Sequence, residues 1–190
     1  MLDREACERR VYRLATLLTG NPIAATKVIA QVVDAQPDLR NLDSAHMDRL
    51  TVLRSREVKP AMLVHELAPP EMAEALANLT PQQREAWVFA RVYHVAEREV
   101  ARAMDCSVTA TQRHLELAET ALAARLGPRL STAPATLLRY SMSIDVPQFY
   151  RIQRLRQRHW RMALMIIAAA IAALLIGAAL VWWSRPLEGR

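Results

Sequence analysis

The chain is poor in the residues that build strands, bridges and reactive centres. Glycine occurs four times in 190 residues and alternating β-branched runs are few, which leaves little material for the tight turns and pleated faces of a sheet protein. Only two cysteines are present, Cys7 and Cys106, with no metal-ligand spacing and no basis for a disulfide framework. His46, His65, His94, His114 and His159 are scattered without paired ligands or a nucleophile motif, so no enzyme, cofactor or metal is expected. Residues 1–10 alternate in charge without an apolar segment, so no signal peptide is expected.

Charge is missing altogether from residues 162–183, a run of 22, where about 20 apolar residues suffice to cross a hydrocarbon core of roughly 30 Å. Nine of them are Leu, Ile or Val, and such residues together favour insertion by about 3–5 kcal/mol. Trp160 lies just before the run and Trp182 and Trp183 close it, as interfacial rings do. The expectation is one transmembrane helix in a cytoplasmic membrane. Its orientation follows from Arg151, Arg154, Arg156, Arg158 and Arg161, a membrane-surface collar that places the N-terminal domains in the cytoplasm. Ala169, Ala173 and Gly177 recur every four residues, a small-residue face suited to a homodimer within the lipid bilayer.

The net charge of +6 suggests nucleic acid until it is divided. Up to Arg139 there are 18 basic and 17 acidic residues, and from Tyr140 onward 7 and 2. The basicity therefore belongs mainly to the arginine collar and tail. Over 77–127 the basic and acidic residues number six each, so that stretch exerts no net pull on a polyanion.

What remains is rich in Ala, Leu, Arg and Glu at helical spacing, and the expected class is all-α with two small helical domains. The expected divisions are a helical domain over 1–58, a linker over 59–76, a second helical domain over 77–127 and a loose tether over 128–146. A basic juxtamembrane helix over 147–161, the transmembrane helix over 162–183 and an external tail over 184–190 complete the chain. Helical patterning of the second block begins as early as Pro70.

Within the second block, Thr80-Pro81-Gln82-Gln83 has the form of a capping box with proline in the first turn. Ala86, Phe89, Ala90 and Tyr93 then share one helical face, and a short break follows at His94-Val95. A helix over 96–104 buries Val100, Ala101 and Met104, and the sequence turns at Asp105, a residue type that tolerates the left-handed conformation. Thr109-Ala110-Thr111-Gln112 has the form of a second capping box, opening a helix with Leu115, Ala118, Leu122 and Leu126 inward. Two helices joined by a tight turn make a helix-turn-helix. On the exposed side of its second helix, Gln112 suits adenine and Arg113 suits guanine in the major groove; Thr109, Thr111 and Glu116 complete the expected DNA-binding set. His114 is expected to be partly buried, and Trp87 to be a core aromatic.

From Leu79 to Leu126 the pattern Leu-Thr-Pro-x-x-Arg-Glu, Glu-x-Glu-Val-Ala-x-x-Met-x-Cys-Ser-Val and Leu-x-x-Ala-x-x-Ala-Leu resembles region 4 of sigma-70-type factors, above all the extracytoplasmic-function group. Val11-Tyr12-Arg13-Leu14-Ala15 through Leu18-Thr19-Gly20-Asn21-Pro22, with Ala25, Val28-Ile29 and Gln31-Val32, is similar to the opening of sigma region 2. The resemblance implies DNA and core RNA polymerase as partners. This chain departs from the family pattern where an acidic pair and an aromatic are usual, with Thr26, Lys27 and Val33. Residues 46–58 contain no Trp, Tyr or Phe, the stacking platforms that unpaired bases need.

Two functions are therefore expected from the sequence. One is a membrane-tethered sigma-like transcription regulator that binds DNA through the helix-turn-helix. The other is a sigma-derived membrane protein that binds a sigma or anti-sigma partner without promoter recognition, consistent with Glu116 and Glu119 on the second helix and with an arginine-rich neck similar to those of membrane anti-sigma factors.

Overall fold

Short polar caps and first-turn prolines decide where the helices of this protein begin. The computed structural model describes residues 4–36, 43–58, 70–148, 150, 160, 162 and 165–176. They form α1 (Arg4–Thr19), α2 (Pro22–Ala35), α3 (Ser44–Glu57), α4 (Pro70–Ala77), α5 (Pro81–Trp87), α6 (Glu97–Met104), α7 (Val108–Leu126) and α8 (Ala133–Ser143). A π-helical turn, Val88–Val92, extends α5, and a 3-10 turn, Gly127–Ser131, follows α7. The all-helical class expected from composition is what the described residues adopt.

Gly20 ends α1 at a left-handed φ of +71°, its N–H donating to the Thr16 carbonyl at 2.9 Å. The Asn21 side chain then accepts from the N–H groups of Ile23 and Ala24 to open α2. Asp43 caps α3 in the same way through His46 N–H. The Thr80 capping box is formed, the Thr80 hydroxyl accepting from Gln83 N–H and the Gln83 side chain accepting from Thr80 N–H.

The chain divides into two units, 1–146 and 147–190. In the first, one apolar core draws on both helical blocks: Leu14, Leu17 and Leu18 of α1 and Val52 of α3 join Trp87, Phe89, Met104, Leu122 and Leu137. Trp87 is buried, as expected of a core aromatic. The expected face of α5 is formed but widened. Ala86 and Phe89 of that face are buried and Ala90 and Tyr93 half-buried, while burial runs unbroken from Arg84 to Phe89, of which the π turn holds only the last two residues. Residues 128–146, expected as a loose tether, are largely ordered. They carry most of the 3-10 turn and α8, whose Ala133 and Leu137 are fully buried. Arg13 of α1 donates to the carbonyls of Met142 and Ile144 at 2.9 and 3.1 Å, satisfying acceptors at the end of α8 that the helix leaves open.

The second unit corrects the membrane expectation. Among its described residues the continuous helical run is 165–176. Its apolar side chains, Ile166 and Leu174 among them, are exposed. Among the described residues no helix is long and apolar enough to cross a membrane, so the expected transmembrane helix over 162–183 and the single-pass localisation are not supported. Residues 163, 164 and 177–183 of the expected span lie outside the described residues, as do Arg151, Arg154, Arg156, Arg158, Arg161 and Gly177. Ala169 and Ala173 are exposed in the 165–176 helix.

Candidate nucleic-acid interface

The helix-turn-helix is α6 and α7, and its turn is built by two residues with distinct backbone needs. Asp105 closes α6 in the left-handed region, at φ +58° and ψ +46°. Ser107 is extended and caps α7, its hydroxyl accepting from Ala110 N–H at 3.1 Å. The expected capping box starting at Thr109 is therefore not the start of the helix; α7 begins at Val108, and Thr109 lies in its first turn. The sequence carried the signal, since serine is among the strongest N-cap residues.

Burial divides the side chains of α7 into two faces. Thr109, Gln112, Arg113 and Glu116 are exposed on the N-terminal half of α7. Thr111 faces the opposite way: it is buried, its hydroxyl donates to the Ser107 carbonyl at 3.1 Å, and it lies 3.2 Å from Cys106 Sγ. It braces the turn and presents nothing to a groove. Ala118, Leu122 and Leu126 are buried beneath the helix as expected, with Leu115 and His114 half-buried. Glu119 pairs with Arg91 at 2.6 Å, and the Gln112 carboxamide donates to Glu97 of α6 at 3.0 Å.

Sequence reasoning missed how the first block holds this motif in place. Arg49 of α3 reaches Asp105 in the turn at 2.9 Å. Arg56 of α3 grips Glu85 of α5 with two guanidinium nitrogens, the Nε bond being 2.8 Å, and donates to the Met104 carbonyl at the end of α6 at 3.1 Å. Burial pushes the Glu85 carboxyl up from its ordinary range, more than the Arg56 partner pulls it down, while the hydrogen bond to Glu85 raises Arg56. The asymmetry follows from depth: the Glu85 side chain is 3% exposed and that of Arg56 28%. Arg84, the other half of the Arg-Glu pair in the motif, is buried and donates to the carbonyls of Leu18 (2.6 Å), Leu76 (2.9 Å), Leu79 (3.1 Å) and Ala77 (3.4 Å). Burial lowers its pKa, with Glu85 opposing the shift.

The left-handed turn allows a separation of backbone from charge. Asp105→Ala is expected to cost about 1–2 kcal/mol, because alanine resists φ > 0. Asp105→Asn keeps the tolerance and loses only an exposed pair with Arg49, costing at most about 1 kcal/mol. Thermal unfolding of the two variants checks the order; equal losses would mean that the ion pair, not the turn, dominates.

Near the exposed face the charges nearly cancel. From Glu97 to Thr120 there are five acidic and three basic residues, so this stretch exerts no net attraction on a phosphate backbone. A comparison with curated proteins found no match to this chain. Residues 71–122, from the first turn of α4 to Leu122 of α7, match the family model of sigma-70, region 4, and it is to the sigma-70 family that this helix-turn-helix unit is similar.

Proposed function

We propose that the chain is a sigma-like transcription regulator, of the extracytoplasmic-function type, that docks α7 in the major groove and contacts core RNA polymerase. The observation that carries the reading is the exposed row Thr109, Gln112, Arg113 and Glu116 on a capped α7, within residues that match sigma-70 region 4. Gln112 and Arg113 supply the bidentate chemistry for adenine and guanine. The first block, with its similarity to region 2, takes the role of polymerase contact. Strand opening is not assigned to it, because α3 carries no Trp, Tyr or Phe to stack on unpaired bases.

A second reading is favoured by one observation, the exposed Glu116 on the outer face of α7 in a module with no surplus of positive charge. In that reading the same surface binds a sigma or anti-sigma protein. Full-length protein titrated with duplex DNA at several salt concentrations, together with a pull-down of core polymerase, tests the first reading. Absence of both salt-dependent binding and polymerase capture would remove it. Glu116→Arg separates the two surfaces. If the face meets DNA, affinity is expected to rise roughly tenfold at low salt and the log–log salt slope to steepen by about 1; unchanged affinity would favour the protein partner.

A further inference from the structure

The structure ties Gln112 to a residue outside the recognition helix. Glu97 stands at the first position of α6, after Ala96, where the helix dipole favours a carboxylate. Its Oε2 accepts a hydrogen bond from Gln112 Nε2 at 3.0 Å. Glu97 enters no ion pair among the described residues, and both side chains are exposed.

A glutamine reads adenine by offering its carboxamide oxygen to N6–H and one amide hydrogen to N7. The carboxamide has two amide hydrogens, so a partner that occupies one leaves the other, and the oxygen, for the base. It also settles which end of the amide is oxygen and which nitrogen, a choice that a free glutamine at the surface makes anew on each encounter. Holding one rotamer before binding removes an ordering cost of about 0.5–1.5 kcal/mol that would otherwise reduce discrimination.

We propose that Glu97 is a positioning residue for base readout: it fixes the Gln112 carboxamide so that the helix-turn-helix selects adenine at one position of its DNA site. This rests on the DNA-binding reading above. Glu97 adds little net affinity, because repulsion between its charge and phosphate offsets the saved ordering cost; its contribution is to the ratio between bases.

The experiment is selection of binding sites from a randomised duplex library by the full chain and by Glu97→Ala, Glu97→Gln and Gln112→Ala, each checked for an unchanged melting temperature. The unaltered chain is expected to prefer adenine at one position by roughly 5- to 100-fold, and Gln112→Ala to lose that preference. Glu97→Ala is expected to reduce it to about threefold or less while overall affinity holds or rises. Glu97→Gln, whose carboxamide can either accept from or donate to Gln112, is expected to restore it only in part. Full adenine preference in Glu97→Ala, or a loss with Gln112→Ala at a base other than adenine, overturns the inference and leaves the DNA-binding reading standing. A chain that shows no salt-dependent binding to any duplex overturns that reading and this inference with it.

Discussion

Arg84→Ala is expected to be among the most damaging single substitutions in this protein, costing about 3–5 kcal/mol. The Arg84 guanidinium donates to four main-chain carbonyls from a buried position. Three of them, on Leu76, Ala77 and Leu79, lie at and just beyond the end of α4, and the fourth, on Leu18, is in the last turn of α1. A positive charge at two helix C-termini meets the negative ends of both dipoles as well as their unsatisfied acceptors. Removing it strands those acceptors away from water and opens a cavity under α5 at the same time. Arg84→Lys should recover only part of the loss, because an ammonium lacks the planar fork that spans several carbonyls. Urea unfolding of the two variants is the measurement. A loss below about 1 kcal/mol for Arg84→Ala would show that water or a rearranged α4 takes over the acceptors.

The second large effect is expected at Arg56. Arg56→Ala leaves Glu85 buried without its partner and frees the Met104 carbonyl, for a cost of about 2–4 kcal/mol near neutral pH. The pH dependence has a definite sign. Burial already holds the Glu85 carboxyl above its ordinary range, and loss of Arg56 pushes it further up. A carboxyl whose pKa is higher in the folded chain binds its proton more tightly there than in the unfolded chain, so the protein gains stability as pH falls and loses it as pH rises through the raised value. The gap between Arg56→Ala and the unaltered protein should therefore narrow as pH is lowered from neutral toward the ordinary carboxylate range. Asp48, also pushed up by burial against the pull of Arg10, gives the same trend in both proteins and drops out of the difference. Melting temperatures across that range test the point, with Arg56→Ala/Glu85→Gln as the control in which the narrowing disappears. A gap that widens in acid would mean that Glu85 is exposed to water once Arg56 is gone.

Both arginines show what kind of information a sequence holds. The all-helical class, the Thr80 capping box, the buried Trp87 and the inward Ala118, Leu122 and Leu126 were legible because each depends on neighbours within one or two helical turns. Caps, first-turn prolines and a 3.6-residue period are local physics. The turn of the helix-turn-helix is partly legible: Asp105 occupies it as expected, but the cap is Ser107 and not Thr109. Thr111 is buried because it stands four and seven residues before Leu115 and Ala118, on the inward stripe of the same helix.

The donors that satisfy the last carbonyls of α1, α4 and α8 are not legible, because they come from far along the chain. Arg84 bonds to Leu18 across 66 residues, and Arg13 to Ile144 across 131. In the linear sequence these arginines, like Arg56, look like ordinary charged positions on helix surfaces. Only packing decides that Arg84 is enclosed while Arg113 is exposed. The uncharged run 162–183 is a further case, in which composition supplied an expectation that the described helix 165–176 does not support.

The amino-acid sequence by itself determined that this protein is helical, that its second block carries a helix-turn-helix, and that the module lacks the positive surplus usual for DNA docking. Tertiary structure alone decided that both blocks contribute to one core, that Arg84 and Glu85 serve to bind the blocks together, and that Glu97 holds Gln112. The physical reason is distance: hydrophobic periodicity and capping act within a few residues, whereas a buried charge finds its partners only after the chain has folded.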